Sequence, residues 1–155
     1  MKTIAILLLA MSYALPAGSE PQGFELWTAS QLKALQSKLS AGIDPQKFAV
    51  QSLGTFGNHS FMLAHREGNG QAELHETQND VFFVHSGHAT LVVGGSIVEP
   101  KMVAPHEVRG LSIRGGTQEA LDPGDVVHIP AGIPHQLLVD AGNHFTYFVV
   151  KIDTK

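Results

Sequence analysis

The chain has 155 residues, of which 43% are hydrophobic and 15% charged, and its formal net charge is −4. This length and composition suit one domain with a substantial core, and without a Lys/Arg cluster neither a nucleic acid nor an anionic membrane surface is an expected partner. There is no cysteine, which excludes disulfides and thiolate metal sites and leaves His, Asp, Glu or neutral oxygen ligands for any metal.

The N-terminus has the pattern of a secretory signal peptide. It reads MKTIAILLLAMSYALPAGS, with one lysine, a short apolar run and small residues at the end. We expect residues 1–17 to be removed by cleavage after Ala14 or Ala17, and Ala14 fits the small-x-small rule better because Ser12 precedes it. The apolar run is too short to span a bilayer, so no stable membrane anchor is expected. The predicted mature protein, residues 18–155, is a single domain that is secreted or periplasmic.

The first predicted element of the mature chain is a short amphipathic helix over residues 30–39. Leu32, Leu35 and Leu39 lie three and four residues apart, Ser30 is a suitable N-cap, and Gly42 follows the helix. The leucine stripe predicts that this helix packs against a larger structure.

After the helix the chain changes to short runs rich in Val, Phe, Thr and Ile. Nine strands are predicted, over 48–53, 60–65, 72–75, 81–84, 89–93, 110–113, 126–129, 136–139 and 145–152. Short strands with turn signals between them indicate an all-β sandwich or barrel, with its core over about residues 48–152. Residues 99–109 (EPKMVAPHEVR) contain two prolines and are predicted to be irregular, either a loop near a site or a plain surface excursion.

Two stretches contain residues that can bind a metal together. In the first, Glu73 and His75 lie two residues apart on one predicted strand, so both side chains project from the same face. Asp80 opens the next strand, from which its carboxylate can point at the same place. In the second stretch, His135 follows a turn that two prolines make rigid, and a rigid mount is what a metal ligand needs.

These two stretches resemble the two sequence motifs of the cupin superfamily. The second motif of that family is Gly, five residues, Pro, one residue, Gly, two residues, His, three residues, Asn. Gly124, Pro130, Gly132 and His135 match it in register, and Val139 replaces the final Asn. The second motif is therefore close to the family pattern.

The first motif departs further from the family pattern, which is His-x-His, three or four residues, Glu, six residues, Gly. Counting back from Gly87 puts Asp80 in the Glu place and His75 in the place of the second His. Glu73 stands where the first His is expected. The two motifs and the chain between them cover about residues 68–139.

The resemblance implies both a fold and a site. The fold is the cupin double-stranded β-helix, a jelly-roll barrel, preceded here by the short N-terminal α-helix. The site is a divalent transition metal (Fe, Mn, Zn or Ni) in the barrel mouth, and its implied ligands are Glu73, His75, Asp80 and His135. Two histidines and one carboxylate suit iron(II), and Glu73 is either a fourth ligand or a base beside the metal. If the short Asp80 side chain does not reach, Gln78 and His85 are the nearest substitutes.

Several other polar residues have two interpretations. His128 lies mid-strand, seven residues before His135, and is either a general base in the same cavity or an ordinary imidazole on a sheet face, which is the preferred interpretation. Candidate anchors for an anionic substrate are Arg66, Arg109, Arg114 and Lys151. Nothing in their spacing selects one, so a solvated surface position is preferred for each.

Two classes of function compete. The first is an exported metalloenzyme, of isomerase/lyase or dioxygenase type, that acts on a small oxygen-rich or carbonyl-containing molecule while Glu73 or His128 transfers a proton. The second is a non-enzymatic cupin that binds a small ligand and has lost the metal, as the residues at Glu73 and Val139 suggest. The fold alone does not choose between them. The last strand, FTYFVVKI, is apolar on both faces and must be covered, so a homodimer is expected, with closure of the sheet edge by the helix as the alternative.

Overall fold

The structure, a computed structural model, describes residues 20–154. The predicted signal peptide lies outside these residues, and its cleavage stays a prediction. No helix in the described part of the chain is long and apolar enough to cross a membrane.

Helix α1 spans Ala29–Ala41. It begins one residue earlier than predicted, because Thr28 and not Ser30 is its N-cap. The Thr28 hydroxyl accepts from the Gln31 N–H, and the Gln31 side chain accepts from the Thr28 N–H. Gly42 ends the helix, as predicted.

Thirteen strands follow the helix within the described residues. They are β1 (Phe48–Phe56), β2 (His59–Arg66), β3 (Ala72–His75), β4 (Gln78–Gly87), β5 (Ala89–Val93), β6 (Ser96–Val98), β7 (Lys101–Ala104), β8 (Glu107–Gly110), β9 (Ser112–Arg114), β10 (Thr117–Leu121), β11 (Val126–Ile129), β12 (His135–Leu138) and β13 (Phe145–Asp153). The predicted all-β class with one short N-terminal helix is confirmed.

The strands pair antiparallel in two large sheets and one small one. The five-stranded sheet has the order β1-β2-β13-β4-β11, the six-stranded sheet has the order β10-β5-β12-β3-β8-β7, and β6 pairs with β9. The two large sheets share one hydrophobic core, to which Phe82 and Tyr147 contribute from the first sheet and Leu91 and Leu137 from the second. Alternation along each strand therefore gives each sheet an inner face toward the core and an outer face.

The helix covers part of the outer face of the five-stranded sheet. It contacts β2 and β1, and Leu39 of its leucine stripe is buried. Leu63 and His65 of β2 are buried but lie outside the main core cluster, which is consistent with a second, smaller layer beneath the helix. The strand predicted to need cover, β13, lies between β2 and β4 in the middle of its sheet.

Some element predictions were wrong. Residues 99–109 are not irregular, because β7 and β8 form an antiparallel hairpin there, with His106 at a φ of 64° in the turn. Strands β6 and β10 were not predicted at all. In β10 every side chain except Leu121 is exposed, so its sequence, TQEAL, lacks the apolar alternation by which a half-buried strand is recognised.

Candidate metal centre

Cross-strand pairing gathers several polar side chains around Glu73. Glu73 of β3 lies opposite His135 of β12 on one side and opposite Arg109 of β8 on the other. Directly paired residues of antiparallel strands project from the same face, so these three side chains meet inside the barrel. His75 projects from the same face, because it lies two residues further along β3.

The proline-rich turn holds His135 next to His75. The Ile133 N–H donates to the Pro130 carbonyl, and Gly132 provides the left-handed conformation that the third position of this turn requires, with a φ of 78°. The Gly132 N–H also donates to the His75 carbonyl at 2.7 Å, which ties the turn to β3. His135 Nδ1 lies 3.1 Å from the Ile133 carbonyl oxygen. When His135 is neutral, this nitrogen is the donor, and the lone pair of Nε2 faces the interior.

Glu73, His75 and His135 form a compact group of ligand atoms. One atom from each residue lies within 4.8 Å of the other two, so the group can hold a metal ion. Asp80 of β4 approaches from the opposite sheet, with its Oδ2 3.5 Å from His75 Nε2 and 3.6 Å from His135 Nε2. The structure thus brings the four predicted metal ligands together from both sheets.

Lys151 also lies in this cluster. It is paired with Asp80 across β13 and β4. Its Nζ donates to both oxygens of Asp80, at 2.9 and 3.1 Å, and lies 2.9 Å from His75 Nε2. The surface position preferred for Lys151 is wrong, since alternation along β13 turns its side chain inward with Phe145, Tyr147 and Val149.

Two arginines compensate the charge of Glu73. Arg109 Nη1 lies 3.2 Å and Arg66 Nη2 lies 3.7 Å from Glu73 Oε1. Arg66 is buried, its Nε donates to the Tyr147 hydroxyl at 3.1 Å, and its guanidinium lies 4.1 Å from the centre of the Phe48 ring. The surface position preferred for Arg66 is therefore wrong, because the interior supplies it with a carboxylate, a hydroxyl and an aromatic face.

These contacts shift the pKa values of Glu73 and His75, the two candidate ligands on β3. Burial raises the pKa of Glu73, but the hydrogen bond from His75 and the charges of Arg109, His135 and Arg66 outweigh burial and lower the pKa to about 2. Burial lowers the pKa of His75, but hydrogen bonds to Asp80 and Glu73 outweigh it and raise the pKa to about 9. Glu73 is thus an ionised carboxylate at neutral pH, as a metal ligand or a base must be.

The other two predicted ligands respond differently to burial. Burial lowers the pKa of His135, which keeps this imidazole neutral and able to bind a metal. Burial raises the pKa of Asp80, but His75 and Lys151 outweigh it, so the pKa of Asp80 is lowered. His75 Nε2 and Lys151 Nζ lie 2.9 Å apart, so in this contact one of the two nitrogens donates and the other accepts.

Two neighbouring cavities lie near the group, and the smaller of the two is lined by members of it. A cavity of about 20 Å³ inside the barrel is lined by residues that include Glu73 and His135, and it has room for one water-sized ligand. A larger cavity of about 480 Å³ shares Arg66 and Gln71 with it and is also lined by Arg109. The larger cavity has the volume of a small-molecule site.

The remaining predicted residues lie elsewhere. His128 is exposed on β11, while Val127 and Ile129 on either side of it pack into or against the core. Its side chain therefore points away from the barrel interior, as the preferred interpretation predicted, and it does not line the metal-binding group. Gln78 donates to Asp153 at 2.7 Å, and Arg114 is exposed.

The donor set fits a divalent transition metal. Two imidazoles and one or two carboxylates are suitable ligands for Fe, Mn, Zn or Ni, and the arrangement is buried and rigid. One contact opposes binding: a metal on His75 Nε2 requires Lys151 Nζ to leave that nitrogen. From the sequence, Lys151 and Arg66 are only candidate substrate anchors, with a surface position preferred for both. The period-two pattern of β13 contains a signal for the inward position, since Lys151 lies on the same face as three inward residues.

Fold and site together define a small jelly-roll barrel with a His and carboxylate group in its interior. No protein-family model and no curated protein matches the sequence. Solved structures do match. KdgF from Halomonas sp. is 12% identical, with a TM-score of 0.52, and the match covers 73% of this chain and 85% of that one.

Two further solved structures are similar to this chain. A candidate mannose-6-phosphate isomerase from Ralstonia eutropha is 18% identical, with a TM-score of 0.50 and coverage of 71% of this chain and 87% of that one. An oxalate oxidase in complex with glycolate is 14% identical, with a TM-score of 0.51 and coverage of 72% and 54%. All three have the cupin barrel fold, so the protein has this fold too, and the fold implied by the two motifs is confirmed.

Proposed function

We propose that this protein is an exported cupin metalloenzyme that acts on a small molecule. One divalent transition metal is held by His75, His135 and Glu73, with Asp80 as a further carboxylate. The observation that carries the proposal is the convergence of Glu73, His75 and His135 inside the barrel. Two pKa directions agree with it, because Glu73 is ionised and His135 is neutral near pH 7. The raised pKa of His75 means that a metal must displace the proton of this imidazole.

The cavity of about 480 Å³ is the proposed substrate site. Arg109 and Arg66 contribute guanidinium groups to its wall, which favours a substrate rich in oxygen atoms or carrying a carbonyl or carboxylate group. Oxalate oxidase and the candidate mannose-6-phosphate isomerase bear the names of oxygen-rich substrates, and this similarity supports the same chemical class here.

The chemistry of the site follows from the positions of its residues. When bound, the metal supplies a Lewis acid that polarises a substrate oxygen, or, as iron(II), an oxygen-binding centre. Glu73 is an ionised carboxylate next to the proposed substrate, able to accept a proton if it is not itself a ligand. Arg109 and Arg66 hold Glu73 in position and neutralise negative charge on the substrate side. Isomerase or lyase chemistry uses the first metal role, and dioxygenase chemistry uses the second.

A specific observation favours the alternative of a binding protein without a metal. The Lys151 ammonium group donates to both oxygens of Asp80 and contacts His75. It therefore already balances the negative charge of Asp80 without a metal ion. In that case the 480 Å³ cavity captures a small ligand and no reaction follows.

Metal analysis of the purified mature protein separates these functions. We expect about one metal ion per chain in the wild type and in His128→Ala, the control with an exposed histidine, and far less in a His75→Ala/His135→Ala variant. Iron accompanied by oxygen consumption on adding substrate would indicate a dioxygenase, whereas Mn, Ni or Zn without oxygen uptake would indicate isomerase or lyase chemistry. Equal and negligible metal in all three proteins would exclude the metalloenzyme and leave the binding protein.

Export and dimerisation are parts of the same proposal. The signal-peptide pattern of residues 1–17 supports export, and the mass of the exported chain should correspond to a start at residue 15 or 18. Exposed Phe83 and Val126 on the five-stranded sheet support a homodimer. Light scattering on the same preparation should give twice the mass of the mature chain, and a single-chain mass would contradict the dimer.

A further inference from the structure

We propose that Lys151 is a tethered cation that competes with the metal ion for His75 and Asp80. This inference rests on the proposed metal site and adds a determinant of its affinity. In the metal-free protein the ammonium group makes the contacts that a metal would make to these two residues. Metal binding and release are then coupled to movement of the Lys151 side chain.

The position of Lys151 follows from strand register. Its Cα partner on β4 is Asp80, and paired residues of antiparallel strands share a face. The two Asp80 oxygens and His75 Nε2 surround Nζ at 2.9 to 3.1 Å. An ammonium group has three donors, and two of them are used by the Asp80 oxygens while the third faces His75 Nε2.

A metal ion and this ammonium group exclude one another at His75. Nε2 binds a metal only through its lone pair, and that lone pair is free only when it holds neither a proton nor a hydrogen bond from Lys151. A divalent ion within a few ångströms of a fixed ammonium group would also be repelled by it, and inside a protein this repulsion is poorly screened. The metal therefore binds only when Nζ moves away.

The structure leaves Lys151 a route for that movement. Its side chain is 19% exposed, whereas that of its partner Asp80 is 3% exposed. A long flexible stem with partial exposure can carry its ammonium group into water while its methylenes stay packed. The metal then replaces Lys151 as the positive charge beside Asp80, so this carboxylate is compensated in both states.

Zinc titration by calorimetry tests the competition. We expect Lys151→Met to bind Zn²⁺ at least tenfold more tightly than the wild type, because no cation has to be displaced. Lys101→Met, which removes an exposed lysine of β7, should bind as the wild type does. Lys151→Gln is a second variant, which keeps a hydrogen-bond donor for Asp80 and should also bind more tightly.

A measurement on the wild type avoids any folding defect of the variants. Lys151 should react faster with an amine-acetylating reagent when Zn²⁺ is added, as read by mass spectrometry of the C-terminal peptide, while Lys101 reacts at a constant rate. Unchanged or weaker affinity in the variants, or labelling of Lys151 that Zn²⁺ does not accelerate, would overturn the competition while leaving the metal site intact. If no protein of the series binds Zn²⁺, the metal site and this inference both fail. If the Lys151 variants bind Zn²⁺ and the wild type does not, the inference is supported, because the ammonium group then excludes the metal completely.

Discussion

His75 faces two carboxylates and one ammonium group, and this arrangement makes its protonation part of the stability of the metal-free protein. Glu73 Oε2 and Asp80 Oδ2 both lie 3.5 Å from His75 Nε2. A proton on His75 is therefore stabilised by negative charge on two sides. Removing that proton leaves two buried carboxylates with less compensation, which costs free energy.

The pH dependence of unfolding should reveal this contribution. The pKa of His75 is raised from 6.5 to about 9 in the folded protein, so its stabilisation is fully present below pH 6.5 and is lost as the pH rises to 9. We expect the metal-free wild type to lose roughly 1–3 kcal/mol of unfolding free energy over this range relative to His75→Gln, with both proteins measured by urea denaturation in a chelator. Parallel curves for the two proteins would show that His75 has no raised pKa.

Lowering the pH should also reduce the stability of the metal-free protein, in this case by protonating Glu73. Its pKa is lowered from 4.5 to about 2, so the stabilisation it gives is present above pH 4.5 and is lost as the pH falls toward 2. The two residues together place the greatest stability of the metal-free cluster between about pH 4.5 and 6.5, where Glu73 is ionised and His75 is protonated.

At the scale of elements, two glycines of the motifs have the same backbone conformation in different surroundings. Gly132 in the turn has a φ of 78°, and a Cβ there would meet no atom within 4 Å. Gly87 at the end of β4 has a φ of 77°, and a Cβ there would lie 1.9 Å from the His144 carbonyl oxygen. The first position therefore requires glycine for conformation only, and the second also requires it for space.

A matched pair of alanine substitutions separates these two requirements. Gly132→Ala should cost about 1–2 kcal/mol of unfolding free energy, from the left-handed backbone alone. Gly87→Ala should cost on the order of 3–5 kcal/mol, because the β4 end must also move away from His144. Chemical denaturation of both variants measures their unfolding free energies. An equal loss in the two variants would mean that the backbone near His144 moves away from the new Cβ at little energetic cost.

How well the sequence predicts an element depends on whether one face of the element is buried. Strands β3, β5 and β11 have the predicted bounds, since apolar residues and turn residues mark them clearly. The β7 and β8 hairpin was missed because all four residues of β7 are exposed, so its strand character comes from pairing with β8 and not from an apolar pattern. Pairing between strands that are distant in sequence is a property of the topology and leaves little trace in local composition.

At the scale of the whole molecule, the same limit explains which part of the site was predicted. The motif spacing identified His75, His135, Glu73 and Asp80, which lie in the two stretches that resemble the cupin motifs. Lys151 comes from β13, and its contact with Asp80 depends on the β13 and β4 register. Arg66 likewise reaches Glu73 from the opposite sheet. Neither contact can be inferred before the strand order is known.

The hydrophobic core adjoins the polar cluster but extends well beyond it, and this predicts how the protein responds to metal removal. Phe145, Ile129 and Leu91 are buried in the core cluster without contributing to the metal-binding group, and Lys151 compensates Asp80 when no ion is present. We therefore expect the chelated protein to remain folded, with a cooperative thermal transition. Zn²⁺ at about 100 times its Kd adds roughly 2.7 kcal/mol of stability by mass action, or roughly 5–10 °C in Tm.

Calorimetric scans of the chelated and zinc-loaded protein measure this shift. The His75→Ala/His135→Ala variant is the control and should show the same Tm with and without Zn²⁺, because binding to the folded state is the source of the gain. A chelated wild type that lacks a cooperative transition would mean that the metal is needed to fold the barrel, and that the Lys151 contact to Asp80 does not substitute for it. A folded chelated protein with a zinc-dependent Tm fits a barrel that folds without the metal and binds it in the folded state.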